Sequence, residues 1–257
     1  MAMKKRTKGN ITAPSLPGKD MLAEVNNNEA GNIYNSLFAK NRKVEYDNKD
    51  IALVNIRTNP DNQIFRAMDD DEDIRILAED IKRNGLMHNL VVFPEQEEGS
   101  TVYVLLSGER RFRALNYLQE KGDATWNIVN CNVVTTPLTE NEKKVLLYSA
   151  NLQVRGGFSD EAIRRQAIAE FITCLQREPY NMSREEALNA TKSVSTVNPR
   201  TIERDARIEE KLKGKLKTLL NDKFLTRSEC ETYLRFEADK QDEIANRFEK
   251  LQAVDCH

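Results

Sequence analysis

The eight residues 107–114, Ser-Gly-Glu-Arg-Arg-Phe-Arg-Ala, bring a glycine, a carboxylate and three guanidinium groups into one short stretch. They follow the apolar run Val102–Leu106, which is typical of a β-strand. The residues after them, through Leu118, have the apolar spacing of a helix. Because a helix that begins at a glycine turn presents free N–H groups and the positive end of its dipole, this position favours an anion.

Each charged residue of this octet suits a polyphosphate and its metal ion. Arg110, Arg111 and Arg113 carry forked N–H donors that match phosphate oxygens. Glu109 carries a hard oxygen of the kind that holds magnesium, so it is the candidate metal ligand and the candidate catalytic residue. The alternative interpretation is a solvated, charged first turn of a helix, because short motifs of this kind often occur by chance.

Three further segments stand in order around the octet. Asn59-Pro60 with Phe65-Arg66 comes first, the stretch 84–92 (Asn-Gly-Leu-Met-His-Asn-Leu-Val-Val) comes next, and the stretch 150–155 (Ala-Asn-Leu-Gln-Val-Arg) follows the octet. In this order they resemble the entry motif and the first and third boxes of the ParB family, and the octet resembles the arginine-rich box between them. ParB proteins are partition proteins that bind DNA and, in many members, CTP.

The resemblance runs from about Ala52 to at least Phe171 and implies both a fold and a site. The expected fold class is α+β, with a small mixed α/β ParB-type N-terminal domain followed by an all-α helix-turn-helix domain. In ParB-like proteins the boxes wrap a nucleotide, usually CTP with magnesium, and nucleotide binding closes a clamp around DNA. The nucleotide-binding residues implied here are Gly85, Leu86, Gly108, Glu109, Arg110, Arg111, Arg113 and Asn151, and the implied magnesium ligands are Glu109 and Asn151.

Several positions depart from the family pattern. His88 and Asn89 replace the glutamine and proline of the first box, Ala150 replaces the glutamate of the third, and the arginine expected directly after Gln153 is displaced to Arg155. Because magnesium relies on one or two carboxylates, the loss at Ala150 predicts weaker metal binding. The pattern thus predicts nucleotide binding. It leaves open both a weak CTPase (nucleoside-triphosphate hydrolase) activity and a DNA-binding transcriptional regulator with a degenerate, non-hydrolysing pocket.

The chain divides into three parts by composition and periodicity. Residues 1–47 are basic at their start and poor in large apolar residues, which predicts a disordered tail. Residues 48–137 predict the ParB-type nucleotide-binding α/β domain, and residues 138–257 predict the helical DNA-binding domain with its C-terminal helical support. Predicted strands span 52–56, 90–93, 102–106 and 128–134; a left-handed helix cap is predicted at Gly85; capping boxes stand at Thr139, Ser183 and Thr226; and the last predicted helix covers about 240–251.

A helix-turn-helix is predicted at about residues 184–213. Residues 184–192 predict a short helix, residues 193–197 a turn, and Asn198-Pro199 the start of a second helix. Arginine near the start of the second helix suits guanine edges in the major groove, whereas the lysines after it suit phosphates. The residues expected to contact DNA are Ser195, Thr196, Arg200, Thr201, Arg204 and Arg207. The alternative is a charged surface helix, because four acidic residues interleave with the basic ones: Glu203, Asp205, Glu209 and Glu210.

Composition narrows the partners and the class of protein. The 257 residues are 31% charged with a net charge of −2, so a nucleic-acid surface must be a local patch. The four cysteines are scattered, which argues against a zinc site or a disulfide framework, and no apolar run or secretory signal indicates a membrane. The expected partners are double-stranded DNA, a partition ATPase and a second copy in a homodimer, in the cytoplasm on a nucleoid or plasmid.

An enzyme on the same fold is the competing hypothesis. A sulfiredoxin-like protein needs a cysteine in the arginine box, and residues 107–114 contain none. A phosphotransfer enzyme needs an acid or histidine near the phosphates, for which only Glu109 and His88 qualify. That hypothesis leaves the helix-turn-helix unexplained.

Overall fold

The computed structural model describes residues 44–66, 70–154, 158 and 160–255. The strands within these residues are β1 (Tyr46–Ala52), β2 (Ile56–Arg57), β3 (Leu90–Glu97), β4 (Ser100–Ser107) and β5 (Ile128–Val134). The helices are α1 (Gln63–Arg66), α2 (Asp71–Asn84), α3 (Glu109–Glu120), α4 (Glu140–Val154), α5 (Glu161–Gln176), α6 (Arg184–Val194), α7 (Pro199–Lys211), α8 (Gly214–Asn221), α9 (Arg227–Tyr233) and α10 (Ala238–Asp255). Short 3-10 turns cover Leu53–Asn55, Pro60–Asn62 and Ala124–Asn127.

The strands form one mixed sheet in the order β1-β5-β3-β4-β2. The pairs β1–β5 and β3–β4 are antiparallel, whereas β3–β5 and β2–β4 are parallel. Residues Leu90–Phe93 at the start of β3 are all buried, as in a strand that is covered on both faces of its sheet. The sheet therefore forms the middle layer of the fold.

Side chains from the sheet alternate between two apolar cores. Leu90 and Val92 pack with α2 and α3, whereas Val91 and Phe93 pack with the helices that follow the sheet. The second core continues without a break into the helix pair α6 and α7, where Ile202 is fully buried. The sheet thus shares a core with α4–α7, whereas α8–α10 pack around a separate core. The mixed sheet followed by helices confirms the predicted α+β class.

The first strand differs from its prediction. The sequence predicted a strand over 52–56, but β1 spans Tyr46–Ala52 and a 3-10 turn follows it. Val44 is buried, so the fold begins inside the segment 1–47 that was predicted as a tail; residues 1–43 lie outside the described residues. The cause is that β1 is an edge strand held through backbone pairing with β5, and only Ile51 of its residues is buried. An apolar pattern does not reveal such a strand.

Local sequence signals correctly predicted where several helices begin. The capping boxes at Thr139, Ser183 and Thr226 are all present, each with a glutamate three residues later that accepts from the backbone N–H of the first residue. The helix α2 begins at the acid run with Asp70 as its cap. The last helix, α10, is longer at both ends than the predicted 240–251.

A buried ion network fixes α7 against its neighbours. The Asp205 side chain is fully buried; Arg164 of α5 donates to it at 2.7 Å, and Arg227 of α9 lies 3.7 Å away. The sequence left open that the acidic residues of α7 belong to a charged surface helix, but Asp205 faces the interior. Burial raises the pKa of the Asp205 carboxyl above its usual value, and the hydrogen bond from Arg164 opposes this shift.

Removal of this carboxylate is expected to cost more stability than removal of an exposed one from the same helix. Asp205→Ala leaves Arg164 buried without its nearest carboxylate, which should lower the free energy of unfolding by about 3 kcal/mol. Glu210→Ala is the matched control, because Glu210 is half-exposed on α7 and its removal should cost less than about 1 kcal/mol. Denaturant unfolding measures both; equal losses contradict a special role for the buried network.

Candidate functional site

The strand-to-helix turn at Gly108 has the geometry that the octet predicts. Gly108 lies between β4 and α3 with φ 104° and ψ 22°, a left-handed conformation that strains other residues. A Cβ at this position would lie 2.8 Å from Cδ2 of Leu90, a fully buried side chain of β3. Both the backbone conformation and the contact with Leu90 therefore require glycine here.

Arg111 joins the arginine box to the loop that precedes β3. Its Nη1 donates to the backbone carbonyl of His88 at 2.5 Å and to that of Asn89 at 3.0 Å. The Asn89 side chain in turn donates to Asn130 of β5 at 2.8 Å. The first box and the arginine box, separated in sequence, are thus held together at the end of the central strands.

The side chains of Arg110 and Arg113 point toward the start of α2 instead. The Arg113 guanidinium lies 3.0 Å from Asp71, and that of Arg110 lies 3.8 Å from Asp73, both in the first turn of α2. Residues 110 and 113 share one side of a helix, whereas residue 111 lies about 100° away around the axis. The arginine box therefore contacts both the loop before β3 and the first turn of α2. The helical period of the octet indicates which arginine points to each.

The start of the loop 85–89 is open. Gly85 caps α2 through a hydrogen bond from its N–H to the Ile81 carbonyl at 2.8 Å. Its φ is 80° as a left-handed cap requires, but its ψ of 174° is extended, so the predicted left-handed cap is not formed. A Cβ at Gly85 would have no atom within 4 Å. Leu86, next in the chain, is half-buried against the core of α2 and α3.

The two candidate metal ligands lie on different helices. Glu109 is the first residue of α3 and is buried. Asn151 on α4 donates to the Leu147 carbonyl at 2.9 Å and lies 3.4 Å from the side-chain oxygen of Asn62. Among the residues that the structure describes, no group of three acidic, histidine or cysteine side chains could hold a metal ion. The protein thus offers one box carboxylate, Glu109, which suits magnesium only when phosphate oxygens supply further ligands.

Asn62 is a site residue that sequence reasoning missed. It is buried at the end of the 3-10 turn that Asn59-Pro60 begins, where the Asn59 side chain accepts from the N–H of Asp61 at 2.9 Å. Its contact with Asn151 joins the entry motif to the third box. The available signal was a second asparagine three residues after the first, since a polar side chain in a capped turn is often buried with a partner.

The helices α6 and α7 lie where the sequence predicts a helix-turn-helix. Four residues, 195–198, connect them, and the Asn198 side chain accepts from the N–H of Arg200 at 2.9 Å to cap α7. Pro199 is the first residue of α7, as predicted. The N–H of Thr196 in the turn approaches the Leu152 carbonyl of α4 at 3.4 Å. The turn is therefore tied to the helix that carries the third box.

The residues predicted to contact DNA fall into two groups. Thr196 and Arg200 are exposed, and Ser195 and Thr201 are half-buried. Arg204 and Arg207 instead both donate to Glu231 of α9, at 2.7 and 2.6 Å. The sequence had placed these two arginines beside Arg200 on one DNA-facing side, whereas the structure directs their guanidinium groups toward α9.

The domain and the motifs together define a class of protein. Residues 37–142 match the family model for the ParB N-terminal domain. The chain therefore contains a ParB-family N-terminal domain, and the predicted family is confirmed for this region. No curated protein sequence matches the chain.

Solved ParB structures resemble the chain at low identity. A C-terminally truncated ParB from Caulobacter crescentus, complexed with CTP-gamma-S, is 18% identical over 78% of this chain and 98% of that chain, with a TM-score of 0.34. The C2221 form of a pNOB8-like ParB N-domain is 11% identical over 80% and 98% of the two chains, with a TM-score of 0.45. A second pNOB8-like ParB N-domain is 12% identical over 79% and 91%, with a TM-score of 0.42.

None of the helices within the described ranges combines the length and the apolar composition that a membrane crossing requires.

A side chain at Gly108 is expected to disrupt the turn that presents the arginine box. Gly108→Ala places a methyl group against Leu90 in addition to straining the backbone, so it should lower the free energy of unfolding by about 2–4 kcal/mol. Gly122→Ala is the matched control, because Gly122 has φ 89° but open space around it, and should cost about 1–2 kcal/mol. Thermal or denaturant unfolding measures both, and equal losses would show that the Leu90 contact does not constrain the turn.

Proposed function

We propose that this protein is a ParB-like, sequence-specific DNA-binding protein that acts in chromosome or plasmid partition or in regulation, with a CTP-type nucleotide gating a clamp on DNA. The observation that carries the proposal is a ParB N-terminal domain in which Arg111 joins the loop 85–89 to the arginine box. A helix-turn-helix follows this domain and shares its core. The proposal includes a homodimer, a partner partition ATPase and a cytoplasmic location on a nucleoid or plasmid.

The geometry of the arginine box supports a bound triphosphate. The first turn of α3 offers backbone N–H groups and the positive end of a helix dipole beside three guanidinium groups. Arg110 and Arg113 pair with Asp73 and Asp71, whose side chains are well exposed, and ion pairs at a surface contribute at most about 1 kcal/mol. A triphosphate would compete with these carboxylates for the two guanidinium groups. The open space beside Gly85 leaves room for the nucleoside.

The residues of this site supply only some of the ligands that magnesium needs. When bound with a triphosphate, the ion would neutralise phosphate charge, and Glu109 with Asn151 are the residues proposed to hold it. Ala150, buried on α4, leaves the third box without a carboxylate at that position. The proposed role of the chain is therefore nucleotide binding with weak hydrolysis, in which the arginines stabilise charge on the phosphates.

One helix connects the proposed nucleotide site to the DNA-binding unit. At the C-terminal end of α4, Asn151 contacts Asn62 of the entry motif, and the carbonyl of Leu152 accepts from the turn between α6 and α7. A displacement of this end by nucleotide would shift both contacts together. This arrangement supports gating, because coupling between sites needs an element that both sites influence.

A regulator with a degenerate pocket is the second candidate function. Ala150 favours it, because the buried alanine removes a carboxylate that the family pattern expects. In this case the protein binds DNA in the same way but binds neither CTP nor another nucleoside triphosphate.

Loss of Arg111 is expected to weaken nucleotide binding strongly. Arg111→Ala removes a charged donor and frees the carbonyls of residues 88 and 89, so CTP affinity should fall by about 10–100-fold. Isothermal titration calorimetry with CTP, ATP and GTP measures this, and Arg247→Ala is the charge-matched control, because Arg247 is exposed on α10. Selective CTP binding by the wild type supports the clamp, binding of no nucleotide supports the degenerate pocket, and unchanged affinity in Arg111→Ala contradicts the site.

Arg200 is expected to contact a base rather than only phosphate. Duplexes enriched from random-sequence DNA supply the specific site, and fluorescence anisotropy measures affinity for it and for a scrambled duplex. Arg200→Ala should cost about 1–3 kcal/mol on the specific duplex and much less on the scrambled one. Equal weakening on both would instead assign Arg200 to a phosphate contact.

A further inference from the structure

We infer that Glu203, an acidic side chain on the exposed face of α7, determines DNA specificity by accepting a hydrogen bond from the amino group of a cytosine in the major groove. This inference rests on the proposed function, because it requires α7 to lie in the groove. Glu203 would then be a second base-contacting residue beside Arg200, and its charge is opposite to that of Arg200.

The contacts of α7 determine which of its side chains remain toward solvent. Ile202, Asp205 and Ile208 face the interior. Arg204 and Arg207 donate to Glu231 of α9, but the Arg207 side chain stays 53% exposed.

Arg200 and Glu203 stand with Arg207 on the exposed surface of the helix. Three residues apart, they are neighbours on one side of a helix, and both are exposed. They also lie in the first turns of α7, the part of a reading helix that contacts base edges in helix-turn-helix proteins. The exposed face thus carries the acceptor group of Glu203 beside the donor groups of arginine.

Lys192 of α6 holds the Glu203 carboxylate in place. Its Nζ lies 2.5 Å from one Glu203 oxygen, and the Lys192 side chain is only 22% exposed whereas that of Glu203 is 54% exposed. A carboxylate has about four acceptor positions, so this single hydrogen bond leaves acceptors for another donor. The hydrogen bond from Lys192 lowers the pKa of Glu203, which therefore stays ionised and acts as an acceptor only.

The charge of Glu203 would be unfavourable on a surface that contacts only phosphates. A carboxylate repels the DNA backbone, and Lys192 offsets part of that repulsion. In the major groove, cytosine presents an amino donor, and glutamate is a side chain that accepts from it. Glu210, near the other end of α7, pairs with Arg184 of α6 and offers a comparison within the same helix.

The experiment is a selection of bound duplexes from a random-sequence pool with the full chain. It compares the wild type with Glu203→Ala, Glu203→Gln and the control Glu210→Gln, after unfolding curves have shown that all four are folded. Glu203→Ala should lose a cytosine preference at one base pair, on the order of tenfold. Glu203→Gln should shift the preference at that position toward adenine, because glutamine pairs with the adenine edge. Glu210→Gln should select the wild-type site.

The remaining outcomes separate this inference from the proposed function. If both Glu203 variants select the wild-type sequence, or bind every sequence more tightly by the same factor, Glu203 is only a charge on the surface and the inference is overturned. If the wild type enriches no sequence at all, sequence-specific DNA binding itself is contradicted, and the inference fails with it.

Discussion

Burial of the central strands on both faces is the constraint from which the rest of the structure follows. Because successive side chains of β3 point to opposite faces, Leu90 and Val92 must fill one core while Val91 and Phe93 fill another. Neither α2 with α3 nor the following helices alone could cover both faces. The ParB N-terminal domain and the helices α4–α7 therefore meet at a shared apolar surface.

The same packing positions the candidate nucleotide site. The contact between Gly108 and Leu90 places the start of α3 directly against the first residue of β3, so the loop before β3 must pass beside the arginine box. Arg111 then satisfies the backbone carbonyls of that loop. A ligand that binds Arg111 would also change the hydrogen bonds that hold this loop, so binding would alter the position of the loop backbone. The acidic first turn of α2 serves meanwhile as the counter-charge for the two other arginines.

Features determined by residues adjacent in sequence could be predicted, whereas features that depend on partners distant in sequence could not. The turn at Gly108, the capping boxes and the start of α7 at Asn198-Pro199 are local signals, and the structure contains them all. The burial of Asp205 depends on Arg164 and Arg227, which lie on two other helices, and no spacing within α7 reveals it. The direction of Arg204 and Arg207 likewise depends on Glu231, more than twenty residues downstream. The edge strand β1 was missed because its stability comes from backbone pairing rather than from an apolar pattern.

The buried carboxylate of Asp205 has a consequence for how α7 can change over evolution. A helix anchored at its centre by this carboxylate cannot rotate about its long axis without separating Arg164, which is 11% exposed, from its nearest carboxylate. The outward side chains of α7 can then be exchanged one at a time while the helix keeps its orientation. Divergence should therefore concentrate at a few surface positions while the interior charge pattern persists.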